Sequence, residues 1–220
     1  LSQVKVPFLV FEPAKSEYRN LKISGKPIRV ITAGDESVAP LRINPFEIAD
    51  GDTLHSNIDA LSATINAAFP MEGPMAALVE QGLLRAYKEV GWDTATGIAP
   101  DDFRVPTMNE FYSALERTID EQKYEGEYGS NIKSALLTRI NSLRIGPRGR
   151  LFNSEMPFDI KDLLSQPTVI EMKKIGSDET KAFLTGILMY RVYRYYESLS
   201  QDEGTSSLKS VLVIEEARSA

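Results

Sequence analysis

The chain has 220 residues, 25 basic and 31 acidic, and its net charge of −6 with 42% hydrophobic residues fits a globular domain, not a disordered or fibrous chain. Zero cysteines exclude a disulfide scaffold, a cysteine-ligated zinc or iron–sulfur site and a thiol nucleophile, and one histidine, His55, excludes a His-rich metal site. No apolar run approaches the ~20 residues of a membrane helix and the first residues lack the order of a signal peptide, so the expectation is a cytoplasmic protein without a transmembrane segment.

Val6 to Phe11 is a continuous apolar run, interrupted only by Pro7 and closed by Glu12-Pro13. It predicts a strand covered on both faces, as in a parallel sheet. Asn44-Pro45-Phe46 predicts a turn. From there the period changes. Ile58, Leu61, Ile65, Ala68 and Phe69 keep helical spacing, as do Ala76, Val79, Leu83, Tyr87 and Val90. Met108, Phe111, Tyr112, Leu115 and Ile119 mark a third helix, opened by the capping-box pattern Thr107-Met-Asn-Glu110. Ile132, Leu136, Ile140 and Leu143 mark a fourth. Pro70 to Pro74, Gly91 to Pro106 and Gly126 to Gly129 read as connections. His55, near the start of the first helix, suits a solvated or capping role.

Two more apolar strands follow, Thr168-Val-Ile-Glu-Met172 and Val211-Leu-Val-Ile214. Between them a helix from about Asp178 to Ser198 has Ser177 as its N-cap, with Asp178 and Glu179 at the positive end of its dipole. Strand, helix and strand make a right-handed parallel crossover. The early half of that helix (Phe183, Leu184, Ile187, Leu188, Met189, Tyr190) is apolar most of the way round, which predicts burial between layers. Tyr190, Tyr193, Tyr195 and Tyr196 belong to its core and boundary. The expected fold is α/β. Residues 1–53 and 159–220 form a parallel sheet core, with the runs at Phe8, Ile170 and Val213 as neighbouring strands, and residues 54–158 form a large all-α insertion.

The segment Val211-Leu-Val-Ile-Glu-Glu-Ala217 places two carboxylates at the C-terminal edge of a buried strand, where open α/β sheets bind their ligands. In nucleotide hydrolases this is the Walker B arrangement. Glu215 would order the hydration shell of Mg²⁺, and Glu216 would polarise the attacking water. A strand running out into solvated glutamates has the same pattern. The partner motif Gly-x-x-x-x-Gly-Lys-Ser/Thr does not occur in this sequence. Gly25-Lys26 is followed by Pro27 and has Asn20 in place of the first glycine. Arg139, Arg144, Arg148 and Arg150 form a basic cluster, the last pair set in a loop by Gly146, Pro147 and Gly149. A guanidinium fork suits a transferring phosphoryl group, or the phosphates of threaded DNA. Arginines complementing a helix C-terminus are the alternative. Glu12, Lys15 and Glu17 make a charged loop after the first strand.

Taken in order, several segments resemble the HerA-like branch of the HerA/FtsK superfamily of P-loop motor ATPases, which also includes the ATPases of conjugation and type IV secretion. They are Val6-Pro-Phe-Leu-Val-Phe-Glu-Pro-Ala-Lys-Ser-Glu-Tyr-Arg19, Pro40-Leu-Arg-Ile-Asn-Pro-Phe46, Leu143-Arg-Ile-Gly-Pro-Arg-Gly-Arg-Leu-Phe152, Thr168-Val-Ile-Glu-Met172 and the Ile214-Glu-Glu-Ala217 strand end. The resemblance implies an incomplete RecA-like P-loop NTPase core, running from just after the P-loop helix to Walker B, with the P-loop upstream of Leu1. It implies ATP and Mg²⁺ as cofactors, Glu215 on the metal, and Glu216 with Arg148 and Arg150 as catalytic residues, an arginine acting in trans within a homohexamer, and it places Glu12, Lys15 and Glu17 near the nucleotide or a subunit boundary. It also implies an ATP-dependent DNA translocase or helicase with DNA and a nuclease as partners, the segment alone being inactive. A conjugation or type IV secretion ATPase, or a catalytically silent partner-binding domain, are the alternatives. The family follows its Walker B glutamates with Ala-His, whereas Arg218 follows Ala217 here.

Overall fold

In a computed structural model, the residues described are 6–23, 25–35, 37, 40–49, 51–124, 126–155, 159–200 and 208–215. In chain order the elements are β1 (Phe8–Glu12), a short 3₁₀ turn (Glu17–Asn20), β2 (Lys22–Ile23), β3 (Lys26–Pro27) and β4 (Arg29–Thr32). Then come α1 (Leu54–Ala68), α2 (Met75–Glu89), α3 (Met108–Glu121), α4 (Gly126–Ser142) and α5 (Gly146–Phe152). Last are α6 (Ile160–Leu164), β5 (Thr168–Glu171), α7 (Asp178–Ser200) and β6 (Val211–Ile214). They fall into two compact units, Leu1–Leu41 with Phe158–Ala220, and Arg42–Pro157.

The first unit is a four-stranded parallel sheet in the order β4-β5-β1-β6. The strands at Phe8, Ile170 and Val213 are neighbours and parallel, β1 lying between the other two. β1 and β5 are fully buried, as their apolar runs predict, but β6, expected from its sequence to be buried, is only half-buried because it ends the described strand order. Alternation divides their side chains. Phe8, Val10 and Val169 form one cluster with Ile28, against which Tyr18, Ile23, Val30, Val211 and Val213 pack. Leu9, Phe11, Ile31 and Ile170, also buried, alternate to the other face. β1 begins at Phe8, two residues later than the apolar run suggests. Pro7 has no N–H to give, and its carbonyl accepts from the Val211 N–H at 3.1 Å. β4 escapes a sequence reading because Arg29-Val-Ile-Thr32 is short, lies at the sheet edge and is only half buried.

Ser177 caps α7 as its sequence predicts, its Oγ accepting from the Thr180 N–H at 3.3 Å. Phe183, Leu184, Ile187 and Leu188 are buried, but Met189 is 38% and Tyr193 60% exposed. The helix is thus covered on one side, not all round.

The second unit is helical. Thr107 and Glu110 close a full capping box at the start of α3. Asn44 makes the expected turn: its Oδ1 accepts from the Phe46 N–H at 3.0 Å, and its Nδ2 donates to the Pro106 carbonyl at 2.9 Å. That turn delivers Phe46, fully buried, to the rings of Tyr87 and Phe111 at 6.4 and 5.4 Å. Two segments differ from the sequence reading. Gly126 to Gly129 is not a connection but the first turn of α4. Glycine stands at 129 for closeness, because a Cβ there would lie 2.4 Å from the Tyr124 carbonyl oxygen. The loop expected at Gly146 to Arg150 is the helix α5. Pro147 sits in its first turn, where a missing N–H costs nothing, so the proline starts the helix and does not break it. Among the described residues, no helix is long and apolar enough to cross a membrane.

Candidate functional site

The apolar runs of β1 and β5 end in glutamate, and that of β6 is followed by one. The pairing sets Glu12 opposite Glu171 and Thr32 opposite Glu171, and Phe11 opposite Ile214, so that Glu215 follows beside Glu12. The Glu215 N–H still donates to the Phe11 carbonyl at 3.1 Å. Thr32, Glu171, Glu12 and Glu215 therefore form a row across the C-terminal edge of the sheet, with neighbouring strands about 4.8 Å apart. Ligands of open α/β sheets bind along this edge.

Three carboxylates side by side repel one another unless something intervenes. The turn after β1 supplies what intervenes. Arg19 places its fork on Glu171, with Nε 2.8 Å from Oε1 and Nη2 2.7 Å from Oε2. Thr32 donates its hydroxyl to the same Oε2 at 3.1 Å and accepts from Arg19 Nη2 at 3.1 Å. Burial alone would raise the pKa of Glu171, but the Arg19 and Thr32 contacts outweigh it and hold the carboxyl below the usual range. At the other end of the row, the Tyr18 hydroxyl donates to Glu215 Oε1 at 2.5 Å. That bond, followed by burial, pushes the Tyr18 phenol up to about 12.

Glu12, in the middle, is fully buried. Its Oε1 accepts from the Glu17 N–H at 2.8 Å, and its Oε2 has no hydrogen-bond partner. Burial first, then Glu171, Glu215 and Glu17, raises its pKa, against the opposing pull of the Glu17 N–H. The stability that depends on a neutral Glu12 is complete below the ordinary carboxyl range and is lost as pH rises through the raised value. Glutamine stays neutral at every pH. Glu12→Gln is therefore expected to match the wild type near pH 4 and to exceed it by about 1 kcal/mol at pH 8, in EDTA, by urea unfolding. A variant less stable at pH 8 would show that Glu12 is ionised there and stabilising.

Of the residues singled out from sequence, Glu215 and Glu12 join this row; Glu12, grouped from sequence with the charged loop, is the fully buried last residue of β1. Glu216 and Arg218 lie outside the described residues. Lys15 and Glu17 form an exposed ion pair at 3.4 Å beside it. Arg148, half-buried, and Arg150, exposed, sit on α5 in the other unit. Arg139 and Arg144 are engaged within that unit. Arg139 Nη1 lies 3.4 Å from Met75 Sδ, and Arg144 stacks 4.0 Å over the Tyr112 ring and donates to Asn109 Oδ1 at 2.9 Å. His55 Nε2 lies 3.0 Å from the Thr94 carbonyl, a local contact at the start of α1. Sequence reasoning missed Glu171, Thr32, Tyr18 and Arg19 as members of the site. The available signal was the repetition: Phe-Leu-Val-Phe-Glu12, Thr-Val-Ile-Glu171 and Val-Leu-Val-Ile-Glu215 are the same apolar run ending in the same residue.

No family model and no curated protein sequence matches the chain. Solved structures do. VirB4 of Thermoanaerobacter pseudethanolicus superposes with a TM-score of 0.61 over 99% of this chain and 55% of that one, at 17% identity. The bacterial conjugative coupling protein TrwBdeltaN70 in its unbound monoclinic form gives 0.54 over 96% and 48%, at 10% identity. Its trigonal form in complex with sulphate gives 0.51 over 96% and 49%, also at 10%. The fold is that of a P-loop NTPase core. This chain spans about half the length of those structures, and at such identities the likeness is one of fold.

That fold raises the question of whether the row suits Mg²⁺. Its donors are all oxygens, as a hard cation prefers, and of its three carboxyl groups Glu171 alone is paired with the Arg19 guanidinium. The buried, unpartnered Glu12 Oε2 marks the same excess of acceptors. Among the described residues, however, no group of three or more His, Cys, Asp or Glu is arranged to hold a metal. Of the described residues, Glu215 offers a carboxylate that could accept from a water on Mg²⁺.

Proposed function

We propose that this chain is part of an ATPase of the conjugation or type IV secretion kind within the HerA/FtsK superfamily. In this reading the sheet is the nucleotide-binding core, with β6 as its Walker B strand, and residues 54–158 are an inserted helical domain. The observation that carries the reading is the in-register row at the carboxyl edge of adjacent parallel strands, ending in Glu215. Likeness in fold to VirB4 and TrwB, P-loop ATPases of this superfamily, favours it over a HerA-type DNA translocase. Glu215 orders the water shell of Mg²⁺, Glu216 orients the attacking water, and ATP turnover drives movement of protein or nucleoprotein. The subunits form a ring in which Arg148 or Arg150 reaches the neighbour's phosphates.

Steady-state phosphate release by the full-length protein tests this reading. Turnover that requires Mg²⁺ is expected. No Mg²⁺-dependent turnover would sink the ATPase assignment, and strong stimulation by duplex DNA alone would return the protein to the translocase branch. Arg148→Ala or Arg150→Ala is expected to lower turnover ~10³-fold with ATP binding and the ring intact, as loss of a trans-acting arginine does. Unchanged turnover in both variants removes these two residues from catalysis.

A further inference from the structure

We propose that Tyr18 is a positioning residue for Glu215, and that the turn carrying Tyr18 and Arg19 sets the two outer carboxylates of the row as one body. This rests on the reading above, in which Glu215 supports Mg²⁺. The Tyr18 ring, partly buried, packs against the cluster of Phe8, Val10, Ile28 and Val169, on the same face of the sheet toward which the glutamates alternate. A wedged aromatic ring has few torsions left, so its hydroxyl has a fixed address, 2.5 Å from Glu215 Oε1. The next residue, Arg19, reaches the opposite way to Glu171. Two consecutive side chains on one short turn thus hold the ends of β6 and β5 on either side of β1.

The consequence for Glu215 is directional. The phenol O–H on Oε1 fixes the plane of the carboxylate, and so the direction in which its remaining lone pairs, both of those on Oε2 among them, can accept from a metal-bound water. Without that bond the carboxylate turns freely about its last torsion, beside the like charge of Glu12 when both are ionised. Groups that orient a metal's direct ligands typically account for 10–100-fold in metal affinity; Tyr18 acts through a residue on the water shell, so the lower end of that range, about 10-fold, is the expectation.

Tyr18→Phe removes the hydroxyl and keeps the ring in its cluster, so the fold is retained and its thermal midpoint checks this. Mn²⁺ binding to the full-length protein, followed by electron paramagnetic resonance with a non-hydrolysable ATP analogue, is the measurement. The variant is expected to raise the Mn²⁺ dissociation constant ~10-fold, with affinity for the analogue in EDTA unchanged. Wild-type Mn²⁺ affinity in Tyr18→Phe would overturn the role of Tyr18 and leave the ATPase reading standing. A wild-type protein that binds no Mn²⁺ with the analogue would overturn the ATPase reading itself, and this inference with it.

Discussion

Phosphate release by the full-length protein is expected to fall ~10²–10⁴-fold on Glu216→Gln, with Mg-ATP binding retained. Glutamine keeps the shape of the side chain and loses its ability to polarise water. Glu215→Gln should act differently, shifting the Mg²⁺ concentration required for turnover, because the proposed function puts Glu215 on the metal's water shell. The distinction follows from position. Glu215 is still in register with β1, its N–H on the Phe11 carbonyl and its carboxylate on Tyr18, and Glu216 is the next residue along. Calorimetry with Mg-ATP beside a phosphate-release assay separates the two effects. Near-normal release by the Glu216→Gln protein would mean that the water is activated elsewhere.

The second large effect concerns the helical unit. Tyr87→Ala is expected to cost ~3–5 kcal/mol of stability, the range for removing a fully buried aromatic side chain. Tyr87 stands between Phe46 and Trp92, at 6.4 and 5.8 Å between ring centroids, both edge-on. Its hydroxyl donates to the Phe46 carbonyl and accepts from Asn57 Nδ2 at 2.9 Å. One residue therefore ties α1, α2 and the Asn44 turn together. Tyr87→Phe keeps the ring and strips buried groups of a partner, and it is expected to cost ~1–3 kcal/mol. Urea unfolding of both variants apportions ring and hydroxyl. A Phe variant as stable as wild type would assign the whole contribution to packing.

The helical periods at Ile58, Ala76, Met108 and Ile132 were legible because amphipathic spacing is local: a 3.6-residue repeat appears within one helix, whatever it packs against. The capping box at Thr107 and the cap at Ser177 were legible for the same reason. Glycine and proline were less transparent. The pairs around Gly126 and Pro147 read as breaks, yet both lie in first turns of helices. Whether a glycine ends a helix or lets a carbonyl approach, as Tyr124 approaches Gly129, depends on a neighbour that spacing does not reveal.

The site divides along the same line. The sequence alone determined that the apolar run before Glu215 and Glu216 is a strand ending in acids, and that cysteine chemistry and a His-rich metal site are excluded. That this strand is only half-buried, at the edge of the described sheet, came from the structure. The sequence also contained Glu12 and Glu171 at the ends of similar runs, but as isolated letters 159 positions apart. Only the tertiary structure made them a row, because strand order and register are settled by long-range pairing, here β4-β5-β1-β6. Only the fold could place Tyr18 on Glu215 across 197 positions and Arg19 on Glu171 across 152. Hydrophobic pattern fixes which segments are buried. Which charges then meet at a sheet edge is decided by how the buried segments pair, and that is a property of the assembled sheet.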